Sequence, residues 1–242
     1  MKKIISLLLA LTMLLTLAAC GGNNNETTPG GNQPAETQVT PGTAEQTEPQ
    51  TQEPVASGEI TEELLRSLPE TPASDFTYEW STKYEGIRVV EYLGSEDVVV
   101  IPAVIEGGPV VEVAGYCFAN DSTVKGVVIP NTVIEIRELF INNQCVELVI
   151  AEGVQTFGYN CFLNCASLKT VIMDDNAKRM EGLCFGSCPN LVELHIPATL
   201  TEMDAEAEAA AFAACDKLTI YGEAGSFIET VANEQGIPFV AE

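Results

Sequence analysis

The sequence predicts a β-rich solenoid with short helical turns, about six repeats of 22–27 residues, a hairpin cap at the N-terminal end and a helix cap at the C-terminal end. Three observations carry this. Phenylalanine recurs at Phe118, Phe140, Phe162, Phe185 and Phe212, with spacings of 22, 22, 23 and 27 residues. Ahead of each of these phenylalanines lies a short β-branched run, often of the form L-x-x-V-x-I and closed by Pro102, Pro130 or Pro197. Between run and phenylalanine sits a second apolar pair, such as Val133/Ile136 or Val154/Phe157. A fixed period of this length means that each unit buries its apolar face only against its neighbours.

The elements follow in order. Residues 1–19 read as an export leader: Lys2 and Lys3, an apolar run from Ile4 to Leu17, then Ala18-Ala19 ahead of Cys20. The run is too short for a spanning helix, which needs about 20 apolar residues. Residues 20–58 hold almost no large apolar side chain, so nothing offsets the entropy of ordering them, and they read as a disordered Thr/Pro/Gln/Glu tether. As a coil it would span roughly 35 Å. In residues 59–75, Ile60–Leu68 has helical spacing with Thr61 as a cap and Pro69 as a stop. The repeat domain is expected over residues 76–242. It opens with a hairpin around Glu85-Gly86, whose Trp80 is the candidate cap residue. Strands are expected at Val98–Ile101, Val124–Ile129, Val146–Ile150, Leu168–Met173, Leu191–Ile196 and Leu218–Tyr221. Ser226–Gln235 reads as an amphipathic closing helix stopped by Gly236, followed by a short strand at Phe239-Val240.

Val127–Phe140, Phe157–Cys165 and Leu218–Val240 resemble the BspA-like, treponemal-type leucine-rich repeats of bacterial surface proteins. The resemblance spans about residues 76–242 and implies a leucine-rich-repeat solenoid, cell-surface placement and protein binding or adhesion. It supplies no catalytic residues. Leu17-Ala18-Ala19-Cys20 likewise resembles a bacterial lipobox, which implies diacylglycerol on Cys20 and anchoring to the outer face of the cell membrane. Two departures stand out. Cysteine replaces alanine before Phe at Cys117, Cys161 and Cys184, and the fifth unit carries an Ala/Glu-rich insertion near Asp204–Ala210.

Charge and composition narrow the function classes. Without Lys2 and Lys3, 9 of 11 basic residues face 35 acidic ones, a formal charge of −26. Such a surface repels nucleic acid. The sole histidine, His195, falls on a strand and no nucleophile motif surrounds it, so neither an enzyme nor a cofactor is expected. No paired CxxC knuckle occurs, so no metal site is expected either. The repeat cysteines fall in two columns, Cys117/Cys161/Cys184 and Cys165/Cys188/Cys215, which reads as buried thiols. An exported chain leaves disulfides between stacked neighbours such as Cys165 and Cys188 open, at roughly one 4.8 Å strand spacing.

Binding is expected on the exposed sheet. Taking the first, fourth and sixth residues of each strand as inward gives an outward column of Val100, Val128, Val149, Ile172, His195 and Thr219. Beside it run Lys125, Val146, Lys169 and Val192, then Gly126, Glu147, Thr170 and Glu193. β-branched residues facing water between Lys and Glu fit a protein or peptide partner, although they also pair well in any sheet. The residues expected to bind are Val128, Val149, Ile172, His195, Lys169, Glu147 and Glu193. A structural envelope protein, or a solute-capturing lipoprotein of a transport system, is the alternative function.

Overall fold

The structure, a computed structural model, describes residues 58–242. The leader, Cys20 and all but the last residue of the tether lie outside it. Helix α1 (Glu62–Ser67) is capped by Thr61, whose side chain accepts the Leu64 N–H. The hairpin pairs β1 (Phe76–Ser81) with β2 (Gly86–Tyr92). From there the chain coils through β3 (Val98–Val100), β4 (Val104–Ile105), β5 (Gly108–Val113), β6 (Gly126–Ile129), β7 (Glu135–Ile136) and β8 (Leu148–Ala151). It continues through β9 (Thr156–Phe157), β10 (Thr170–Met173), β11 (Arg179–Met180), β12 (Glu193–His195) and β13 (Glu202–Met203). Helix α2 (Ala205–Ala210), β14 (Thr219–Gly222), α3 (Phe227–Gln235) and β15 (Phe239–Ala241) complete it.

Two sheets result. The seven-stranded sheet runs β15-β14-β12-β10-β8-β6-β3, every neighbour parallel. The other sheet runs β1-β2-β5-β7-β9-β11-β13, with β4 beside β5. The sequence reading expected one sheet only. The second is built by the apolar pairs between strand and phenylalanine. From β7 to β13 its strands are two residues long, too short to show any period of their own.

Between the sheets the five repeat phenylalanines stack in register. Their centroids are 5.3, 5.2, 4.9 and 6.0 Å apart along the chain, and the first three pairs lie within 11° of parallel. The last step is looser because α2, the Ala/Glu-rich insertion, sits between Phe185 and Phe212. Its N-terminus is capped by Asp204, which accepts the Ala207 N–H. At the other end Phe118 meets Tyr92 at 5.9 Å, and Tyr92 meets Phe76 at 5.4 Å. Thus Phe76 and Tyr92 close the stack. Trp80, expected to do so, is 58% exposed. It sits near the turn of the hairpin, paired with Ile87, whereas Phe76 and Tyr92 pair at the far end of the ribbon, where the stack closes.

A turn follows each phenylalanine, with a left-handed residue two positions on: Asn120, Asn142, Asn164, Ser187 and Ala214, all with φ between 57° and 61°. Asparagine tolerates this region best, and it holds the first three positions. One glycine is required outright. Gly153 has φ +75°, and a Cβ there would stand 2.2 Å from the Asn131 carbonyl oxygen.

Candidate functional site

The outward face of the seven-stranded sheet is where binding was expected, and the strand pairing fixes its rows. The central outward row is Val100, Val128, Ile150, Ile172, His195, Tyr221 and Val240. Val149 is not in it. It pairs with Val127 and Val171, points inward and is fully buried in the main core. The reason is a one-residue slip, which turns every side chain of a strand to the other face. The inward residues of this unit are Val146, Val149 and Ala151, and the small Ala151 disguises the last of them. Val146 is therefore core, and Glu147 takes its place between Lys125 and Lys169. The last unit is one residue shorter after its cysteine. Tyr221 rather than Thr219 then pairs with His195.

The remaining expected residues lie on this face, in two different settings. Val128 and Ile172 are half-buried because α1 lies across the sheet. Leu65, 1% exposed, packs with Val98, Leu148 and Ile150, and Ile60 and Leu68 join from its flanks. Sequence reasoning identified this helix but not its seat. Helical spacing shows an apolar side without showing what it meets. Gly126 was the available signal: a Cβ there would stand 2.7 Å from Leu65 Cδ2, so the strand is hollowed beneath the leucine. Arg66 spans the helix edge, bound to Glu62 at 2.7 Å and to Glu152 just after β8.

Beyond α1 the face is open. Glu147, Lys169, Ile172, Glu193 and His195 are brought together around a groove of about 260 Å³ whose far wall is Glu59–Glu62. Lys169 is held by Glu147 at 2.5 Å. The His195 ring stacks on Tyr221 at 4.9 Å, and its Nδ1 lies 3.1 Å from a Glu242 carboxylate oxygen. The groove thus offers an apolar floor at Ile172 and an aromatic wall, with charges of both signs on the rim. That arrangement can grip a peptide. The imidazole Nδ1 is engaged by Glu242. Among the described residues no group of three or more His, Cys, Asp or Glu side chains is placed to hold a metal.

The opposite sheet carries the strongest electrostatics. Glu135 on β7 receives hydrogen bonds from Lys83 at 2.5 Å, from Tyr84 and from Arg137 at 2.8 Å. Burial works to raise its pKa, but these donors outweigh burial and hold the carboxyl down at about 2. Lys83 and Tyr84 belong to the hairpin turn, so the cluster ties the N-terminal hairpin to the coil. Its side chains satisfy one another, which makes it a brace.

The cysteines also have a place. Cys165, Cys188 and Cys215 each donate a thiol hydrogen bond to the phenylalanine carbonyl of the preceding unit: Phe140 at 3.1 Å, Phe162 at 2.9 Å and Phe185 at 3.0 Å. One unit earlier the buried Asn143 amide does the same to Phe118 at 2.8 Å. The column therefore satisfies a buried carbonyl at each turn. Hydrogen bonding to Cys165 and burial push the Cys188 thiol up to about 12, and burial does the same to Cys117. All seven cysteines of the described residues are free thiols, and only Cys145 is not buried. Alkylation of the native protein should label Cys145 within minutes, and the other six described cysteines only after unfolding, as assigned peptide by peptide by mass spectrometry. A pair that stays unlabelled in denaturant would mean a disulfide.

A family model agrees with this architecture. The family model described as "BspA type Leucine rich repeat region" matches six copies over residues 107–221. No curated protein matches the chain. The T. pallidum leucine-rich-repeat protein TpLRR is 25% identical, covering 63% of this chain and 71% of its own, with a TM-score of 0.49. A leucine-rich-repeat protein from Bacteroides ovatus is 20% identical over 63% of this chain and 47% of its own, TM-score 0.46. The pneumococcal vaccine antigen PcpA is 15% identical over 71% of this chain and 49% of its own, TM-score 0.47. The chain thus spans about half the length of the last two. Six matched copies, coiled in register around one phenylalanine stack, make residues 107–221 of this chain a member of the BspA-type leucine-rich-repeat family.

Proposed function

We propose that this chain is a membrane-anchored, extracytoplasmic protein-binding or adhesion module. It presents the open half of its seven-stranded sheet to a protein partner. The observation that carries the reading is the groove in which Glu147, Lys169, Ile172, Glu193 and His195 converge. An apolar floor with a polar, charged rim is the anatomy of a protein interface, where a few central anchors hold the partner. The family supports the same reading, since BspA-like repeat proteins are often surface adhesins and the repeat fold is typically non-enzymatic. Attachment would run through a lipid on Cys20, reached by the acidic tether. Among the described residues no helix is long and apolar enough to cross a membrane.

The test is capture. The full chain, displayed on beads, is incubated with host matrix proteins and with neighbouring bacterial cells. The same is done with a variant carrying Ile172→Glu and His195→Glu. Both side chains are outward, so the fold should persist by circular dichroism while capture falls at least tenfold. Capture that is equal for the two proteins rejects this face as the site.

A further inference from the structure

The apolar half of the sheet face is not vacant; the chain covers it with its own helix. Three features distinguish α1 from an ordinary part of the fold. Its contacts form a cluster separate from the main core: Leu65, Val98, Leu148 and Ile150, with Ile60, Leu68, Val128 and Ile172 at the margin. At six residues it is far below the length at which a helix is stable alone, so it is helical only while seated. Its leash is pinned elsewhere. Thr71 donates its N–H to the Val100 carbonyl at 2.8 Å and accepts the Val100 N–H on its hydroxyl at 3.0 Å, and Glu70 accepts the Ala103 N–H at 2.9 Å. Between the pinned segment and the helix stands Pro69, which removes one backbone donor and fixes its own φ.

We propose that residues 59–68 are a displaceable plug on the partner-binding face. They lift as one unit about Pro69 and give way to an amphipathic segment of a partner with the same chemistry. That chemistry is set by the seat. A leucine fits the hollow over Gly126. Branched apolar side chains at the places of Ile60 and Leu68 join the same cluster, and a flanking arginine reaches Glu152. The resident helix competes at the high local concentration that a short leash provides. Uncovering the face lengthens the open groove along the whole outward row. This inference rests on the reading that the sheet face binds a partner, and it predicts that binding is restrained until the plug is out-competed.

The experiment uses the full chain and two variants that unseat α1 from opposite sides. Leu65→Ser removes the knob. Gly126→Val fills the hollow, and the atoms it meets are the side-chain ends of Leu65 and Ile60. Arg66 is the reporter, because the only basic residues before it are Lys2 and Lys3. Trypsin should cut after Arg66 at least tenfold faster in both variants, while the thermal melt of the repeat domain stays within a few degrees of the parent. A fluorescent peptide of residues 58–68 should then bind Leu65→Ser at least tenfold more tightly than it binds the parent, and should not bind once Gly126→Val is added. If the cut is not accelerated, the melt falls as for a core substitution, or the peptide shows no preference, α1 is a fixed part of the domain and the proposal is overturned. None of these readouts depends on the captured partner. Loss of capture by Ile172→Glu with His195→Glu can therefore fail or succeed separately.

Discussion

Replacing Phe162 by alanine should lower the free energy of unfolding by about 3–5 kcal/mol, the largest loss expected from any single apolar truncation in the chain. Phe162 is fully buried at the centre of the stack, 5.2 Å from Phe140 and 4.9 Å from Phe185. Its removal leaves a cavity that rigid parallel strands on both sides cannot close. It also takes away two ring–ring contacts, each worth about 0.5–1.5 kcal/mol beyond area burial. In a solenoid the units touch only their neighbours, so the damage lands in the middle, where it separates two halves. Urea unfolding followed by circular dichroism should show an earlier midpoint and, if the halves uncouple, a second phase. Phe212→Ala should cost less, because that ring is already offset by the α2 insertion and sits 6.0 Å from its neighbour. Equal losses at the two positions would mean that the stack does not carry the coil.

The phenylalanine period was legible because one slot per turn must be filled by a large ring, and the spacing of those rings is the pitch of the coil. The second sheet was not legible. Two-residue strands such as Glu135–Ile136 and Thr156–Phe157 exist only because neighbouring turns place them side by side. The cysteines could be sorted into columns, yet the role of Cys165, Cys188 and Cys215 depends on a carbonyl one turn away. Asn143 in the same column is the one sequence hint that the position needs a donor. Trp80 drew the cap assignment by its size, whereas Tyr92 and Phe76 are the rings that reach Phe118. Of the candidate face, the charged rim was legible, whereas Tyr221 and the seat of α1 were not. That seat is a long-range contact, invisible in either partner segment.

The rows of that face are tested most sharply by two adjacent positions. Val149 and Ile150 are equally dry, at 0% and 1% exposure, but under different cover. Val149 faces the inner core, where a glutamate would find no partner and could neither ionise nor hydrogen-bond without opening the coil. Val149→Glu should therefore cost more than about 4 kcal/mol and abolish the native circular dichroism spectrum. Ile150 faces outward beneath Leu65 of α1. Ile150→Glu should expel the helix, bring the carboxylate into water and leave the repeat domain folded. Its cost should be no more than about 1–3 kcal/mol of lost apolar burial, read as rapid tryptic cleavage at Arg66 with little change in the main melt. The sequence alone places the outward residue at Val149 and so expects these two outcomes exchanged. If Val149→Glu folds and Ile150→Glu does not, the register of β8, and with it the whole outward row from Val100 to Val240, is displaced by one residue.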